Sequence, residues 1–276
     1  MTALLEVGAD VGWPDADASA TARLAPTRSR RLAELVEWLA ATQGRFPPQR
    51  PQRVRCVLLG PAGAAASELA SGYDIGVRSL ELDGDPHTAF AQGLEAADRE
   101  IDEGADLLVL AGRDETSAPG ALTSLLSDTE PVALLPRGAN ALDTEQWVAA
   151  AEELRDSRRE IAALRSRPDD LVAGTGSPVI AAAAGFALRA AARRTGVLLD
   201  GAAVLAAALL CIDSQPLARE WWQLADTAAD PVHIVIAAQL ELQPLLDLGL
   251  TTGDGVAGLL AVEVVRAEAE AGVTHG

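Results

Sequence analysis

The sequence has 276 residues, enough to bury a full core in one large domain. Its 22 basic residues against 40 acidic ones leave a formal charge of −18, which repels phosphate backbones and anionic headgroups and argues against nucleic acid and membrane surfaces as partners. Every cation is arginine, so a Schiff-base lysine, a pyridoxal phosphate anchor and a P-loop lysine are all excluded.

Residues 1–28 are rich in Ala, Asp, Thr and Pro with weak periodicity and read as a loosely ordered arm. No basic residue precedes their first apolar run, so they do not resemble a secretory signal. Leu32, Leu35, Val36 and Leu39 then recur at helical spacing until Pro47-Pro48 ends the pattern. Residues 54–59 form a compact apolar run closed by Gly60-Pro61, which fits a buried parallel strand. A helix is expected through Leu69, a strand over 77–82, a helix over 88–103, and a second buried strand over 106–111 that ends at Gly112. The pattern continues with a helix over 118–127, a strand over 132–135 and a long charged helix over 144–167. That long helix turns Leu154, Ile161 and Leu164 inward and carries local ion pairs on its solvated face. Pro178 suits a first helical position, and the helix it opens runs to Arg194 before a strand at 197–199. Helices over 202–210, 232–242 and 256–271, with a short apolar segment at 245–248, complete the chain. Trp221-Trp222 pack against the core or against a dimer partner.

Alternating strands and helices predict an α/β fold, a Rossmann-like parallel sheet with helices on both faces and a small helical annex from the N- and C-terminal segments. Residues 29–276 are expected to form a single domain. The apolar stretches 179–192 and 196–212 are interrupted by Arg189 and Asp200 and are too short to span a bilayer. Cys56 and Cys211 form no CxxC pair, so a disulfide framework and a metal site are not expected and a reducing cytoplasm fits best. Ligands of such sheets sit beyond the carboxyl ends of the strands. The loops to inspect are therefore Gly60-Pro61-Ala62-Gly63, residues 112–117, Arg137-Gly138-Ala139-Asn140, Asp200-Gly201 and Thr252-Gly253-Asp254-Gly255.

Several of these segments occur in a specific order. Gly174-Thr175-Gly176-Ser177 precedes an Ala-rich helix that reaches Gly185-Phe186, followed by Arg193-Arg194-Thr195-Gly196 and Val197-Leu198-Leu199-Asp200-Gly201. Asp230-Pro231-Val232-His233, Leu245-Leu246-Asp247-Leu248-Gly249-Leu250 and Thr252-Gly253-Asp254-Gly255 come next. In this order and spacing the chain resembles the nicotinate-nucleotide:dimethylbenzimidazole phosphoribosyltransferase family, as a shortened and divergent member. Further likeness lies in Gly104-Ala105-Asp106-Leu107-Leu108 through Glu130-Pro131-Val132-Ala133 and in the helix bearing Trp38-Leu39-Ala40-Ala41, with Pro26 as a remnant of the family's lead-in. About half the chain carries the resemblance.

The resemblance implies transfer of a phosphoribosyl group from nicotinate mononucleotide to a benzimidazole-type base, giving an α-ribazole phosphate for the lower ligand of cobalamin. It implies no cofactor, a nucleotide and an azole base as ligands, and a homodimer. Asp254 matches the family's catalytic glutamate, the base that takes the azole proton while the other ring nitrogen attacks the ribose. Gly112, Arg113, Gly174, Thr175, Gly176, Ser177, Asp200, Gly201, Gly253 and Gly255 are the corresponding substrate-binding candidates. The chain departs from the pattern where the family reads Gly-Asp-His-Gly and this sequence has Gly60-Pro61-Ala62-Gly63. It departs again between Tyr73 and Leu82, where a stretch is missing, and in residues 111–117, which replace a glycine-rich loop. These departures keep a second reading open: a non-catalytic paralogue that binds nucleotide or pairs with a full-length homologue.

Residue chemistry leaves alternatives open at individual positions. Asp254 is a base or a turn residue that caps the last helix. Asp200 is a helix cap or a site residue, Arg113 pairs with a phosphate or with its neighbours Asp114 and Glu115, and His233 reads as structural.

Overall fold

The fold comes from a computed structural model, in which residues 4–25, 29–136, 142–250 and 253–274 are described. Pro26, the loop Arg137-Gly138-Ala139-Asn140 and Thr252 lie outside the described residues. In chain order the elements are α1 (Leu4–Gly8), α2 (Ala16–Arg23), α3 (Arg30–Gln43), β1 (Val54–Leu59), α4 (Ala64–Gly72), β2 (Gly76–Leu80), α5 (Pro86–Asp102) and β3 (Leu107–Gly112). They continue with α6 (Ala118–Ser127), α7 (Thr144–Ala162), α8 (Pro168–Gly174), α9 (Pro178–Ala192), β4 (Val197–Asp200), α10 (Ala202–Ser214), β5 (Trp222–Asp226), α11 (Pro231–Leu240), β6 (Pro244–Leu246) and α12 (Val256–Thr274).

The strands form one six-stranded sheet in the order β2-β1-β3-β4-β5-β6, and every neighbouring pair is parallel. Strand order reverses between β1 and β3, so the loops after these strands diverge and leave the crevice in which doubly wound sheets bind ligands. Alternation along the strands explains the two covered faces. Leu108 and Leu110 of β3 join a core with α5, α6, α9 and α10, whereas Leu107, Val109 and Ala111 join a second core with α3, α4 and α12. The fold class expected from the strand–helix alternation is the one observed. Helices α3 and α12 lie across the sheet's second face, while α1 packs into the core on the first.

Three local expectations are corrected. Residues 4–25 are not a loose arm: Leu4 and Val7 are buried in the main core, the Trp221 Nε1–H donates to the Gly12 carbonyl at 2.9 Å, and Gln215 Nε2 donates to that of Gly8 at 2.6 Å. Weak periodicity misled here because short helices need only one or two inward residues each. Residues 132–135 are not a strand. Pro131–Leu134 form a 3-10 turn, because β3 pairs directly with β4 and leaves no slot between them. The long helix ends at Ala162, and α8 begins separately with Pro168 in its first turn. β5, which hydrophobic patterning did not predict, is buried along its whole length. Trp221 and Trp222 pack into the main core, the first of their two expected settings.

Candidate active site

The site is built where the carboxyl ends of β3 and β4 meet the turn leading into α12. Gly112 ends β3, Gly201 follows β4, and Gly253 opens that turn with φ +61°. A Cβ on Gly201 would stand 2.7 Å from both the Gly112 carbonyl oxygen and the Gly253 Cα, and one on Gly253 would stand 2.6 Å from the same oxygen. The backbones touch, so only glycine fits at these positions. Gly255, at φ +91°, packs the far side of the turn against Leu58 of β1.

This close approach brings Asp254 to the mouth of the sheet. The side chain is half-buried, and its Oδ1 accepts the Val256 N–H at 3.1 Å, the helix-start role that the residue type suggested. Its other oxygen accepts no hydrogen bond among the described residues. One oxygen thus orients the carboxylate at the start of α12.

Beneath it lies Asp200, the last residue of β4, with its side chain buried toward α12. It accepts the Gly258 N–H at 3.0 Å. Burial pushes its carboxyl up to about 7, and the nearby negative charges of Asp254 and Asp226 add to the shift. Cys56 of β1 is buried close by, and its thiol is pushed up by burial and by Asp200. Asp226, at the end of β5, is also buried, with Oδ1 accepting the Leu248 N–H at 2.8 Å and Oδ2 accepting the Leu250 N–H at 2.7 Å. Sequence reasoning missed Asp226. The available signal was Trp222–Asp226, a mostly apolar stretch interrupted by Gln223 and closed by a carboxylate, as Val197–Asp200 is.

Beside the three glycines lies an open cleft of about 400 Å³ walled by Asp114, Thr116, Ser117, Ala202, Asp230 and Val232, among others. The first turns of α6, α10 and α11 border it; Thr116 Oγ1 takes the Ala118 N–H and Asp230 takes the Val232 N–H, whereas no side chain caps α10, whose start offers the partial positive charge suited to a phosphate. Asp114 organises the rim: Ser177 Oγ donates to its Oδ2, and the Thr116 N–H donates to its Oδ1 at 2.8 Å. Ser177 also caps α9 by accepting the Ile180 N–H at 3.0 Å.

The other candidates fall into two groups. Gly112 lies against Val179 in the first turn of α9, which draws the Gly174-Thr175-Gly176-Ser177 turn toward the strand ends. Within that turn, Gly174 packs on Leu164, the Thr175 hydroxyl donates to the Val172 carbonyl at 2.8 Å, and Gly176 takes φ +65°. Arg113 stands apart, exposed and paired with Glu115 at 2.6 Å. His233 is structural, as its residue context suggested: its Nε2–H donates to the Asp226 carbonyl at 3.1 Å, while burial pushes its pKa down. No group of three or more His, Cys, Asp or Glu residues among the described ones is arranged to hold a metal ion.

Comparison with known proteins bears on this architecture directly. The family model described as "Phosphoribosyltransferase" matches residues 84–272. A relative from Mycobacterium avium (strain 104), the nicotinate-nucleotide–dimethylbenzimidazole phosphoribosyltransferase, is 32% identical, with 94% of this chain and 93% of that protein covered. The chain belongs to this phosphoribosyltransferase family. A second member of the same name, from Mycobacterium leprae (strain TN), is 32% identical over 94% of this chain and 92% of its own length. Both alignments run over 324 positions, more than the 276 residues of the chain, so these relatives carry residues that this one lacks. Among solved structures, the phosphoribosyltransferase from Thermus thermophilus superposes with a TM-score of 0.77 at 26% identity, covering 93% of this chain and 95% of that one. A second structure from that organism, named CobT, gives 0.78 at 26% identity, covering 96% and 95%.

Proposed function

We propose that this member of the family transfers the phosphoribosyl group of nicotinate mononucleotide to a benzimidazole-type base. One ring nitrogen of the base attacks the anomeric carbon as the bond to nicotinate breaks. Nicotinate leaves with the bonding electrons, and the proton on the other ring nitrogen passes to Asp254. The product is an α-ribazole phosphate, the lower-ligand nucleotide of cobalamin. The names of the relatives support the substrate pair, and the observation that carries the reading is the carboxylate of Asp254 at the mouth of the sheet, with one oxygen held and the other accepting no hydrogen bond among the described residues.

In this reading Gly112, Gly201, Gly253 and Gly255 set the backbone against which the base lies, Gly174, Thr175, Gly176 and Ser177 border the nucleotide, and Arg113 joins them by exchanging its ion pair with Glu115 for the phosphate. The phosphate sits at the start of α10, on the border of the cleft. The family resemblance also supports a homodimer, which sedimentation of the purified protein would establish or exclude.

Aspartate reaches one methylene less far than the glutamate it matches, and a base displaced by ~1 Å loses on the order of a hundredfold in rate. Purified protein incubated with nicotinate mononucleotide and dimethylbenzimidazole should release nicotinate slowly. Asp254→Ala should abolish release while leaving nucleotide binding measurable by calorimetry, and Asp254→Glu should accelerate it. Absence of release by the unaltered protein, or undiminished release by Asp254→Ala, overturns the reading.

A further inference from the structure

Asp254 lies just before α12, outside helix and strand, yet a base must be held to within a fraction of an ångström. On either side of Asp254 the chain is tied to the sheet by a buried carboxylate. Upstream, Asp226 at the end of β5 takes the N–H groups of Leu248 and Leu250, one on each oxygen, at 2.8 and 2.7 Å. Downstream, Asp200 at the end of β4 takes the Gly258 N–H at 3.0 Å. The two strands are hydrogen-bonded neighbours, so the clamps share one rigid base. Asp226 is itself braced, since its carbonyl accepts the His233 Nε2–H.

We infer that Asp226 and Asp200 are positioning residues, which hold the turn bearing Asp254 against the strand ends through its backbone N–H groups. The inference rests on Asp254 being the base. Neither carboxylate lines the cleft that would take the nucleotide. At Asp226 each oxygen accepts one of two converging N–H donors, whereas a carboxamide would present an NH₂ to one of them. Losing either clamp lets the turn drift, so the chemical step suffers while the nucleotide cleft stays intact.

The test compares Asp226→Asn with the unaltered protein. The expected result is a fall in kcat of about tenfold or more, with the KM and calorimetric Kd for nicotinate mononucleotide held within about threefold. A purely structural role would lower the melting temperature and leave kcat unchanged below it, and that outcome overturns the inference. So does a loss confined to KM. Because the variant could fail to fold, amide hydrogen exchange of the unaltered protein supplies a second reading. The Leu248, Leu250 and Gly258 amides should be protected, and fast exchange at all three overturns the clamp. If the unaltered protein releases no nicotinate, the proposed reaction fails while the exchange result still decides whether the clamp exists.

Discussion

Asp200 carries a carboxyl that burial pushes up to about 7, with Asp254, Asp226 and the Cys56 thiol as its titratable neighbours. In the unfolded chain the same group titrates near 3.9. A carboxyl raised by folding leaves stability at its fullest below about pH 4, where both states are protonated, and stability falls as pH rises toward 7. Asp200→Asn removes this titration and keeps an acceptor for the Gly258 N–H. Melting temperatures measured from pH 4 to pH 8 should therefore move in the variant's favour relative to the unaltered protein. The gain is a few kcal/mol at most, since each tenfold change in proton affinity is worth ~1.4 kcal/mol. A difference that stays constant across that range contradicts the burial of a titrating group. Cys211, pushed up to about 12 by burial, should resist alkylation in the folded state.

Helices α5 and α9 pack backbone to backbone. A Cβ on Gly93 would stand 2.0 Å from the Ala182 carbonyl oxygen, and one on Gly185 would stand 2.3 Å from that of Phe90. The neighbours that would have to yield are main chain rather than the ends of flexible side chains. Gly185→Ala should accordingly destabilise the protein by about 1–3 kcal/mol, readable as a lowered denaturant midpoint with an unchanged slope. A variant as stable as the parent would mean that the helices stand further apart. The crossing matters for function because α9 begins at Ser177, whose hydroxyl meets Asp114 on the rim of the cleft.

The whole molecule carries a formal charge of −18. Exposed pairs such as Arg159–Asp156 and Arg167–Asp170 offset little of this, since surface ion pairs contribute at most about 1 kcal/mol each. Net self-repulsion dominates, so stability should rise as salt is added up to ~0.15 M, where the Debye length is about 8 Å. A melting temperature that falls over this range would show that attractive pairs outweigh the repulsion. Among the described residues no helix is long and apolar enough to cross a membrane. The polar interruptions at Arg189 and Asp200 anticipated this for the two longest apolar stretches.

Hydrophobic patterning by itself determined the central strands, the helices between them and the α/β class, because residues 54–59, 107–112 and 197–200 must be covered on both faces. The ordered glycine and aspartate segments likewise made the family legible. The pattern left undecided which polar residues converge. Asp226 closes a strand whose pairing depends on β4, and its partners Leu248 and Leu250 lie more than twenty residues onward. Only the tertiary structure brings Gly112, Gly201 and Gly253 into backbone contact and sets Asp254 above Asp200, because such contacts join segments far apart in the chain and leave no local periodicity.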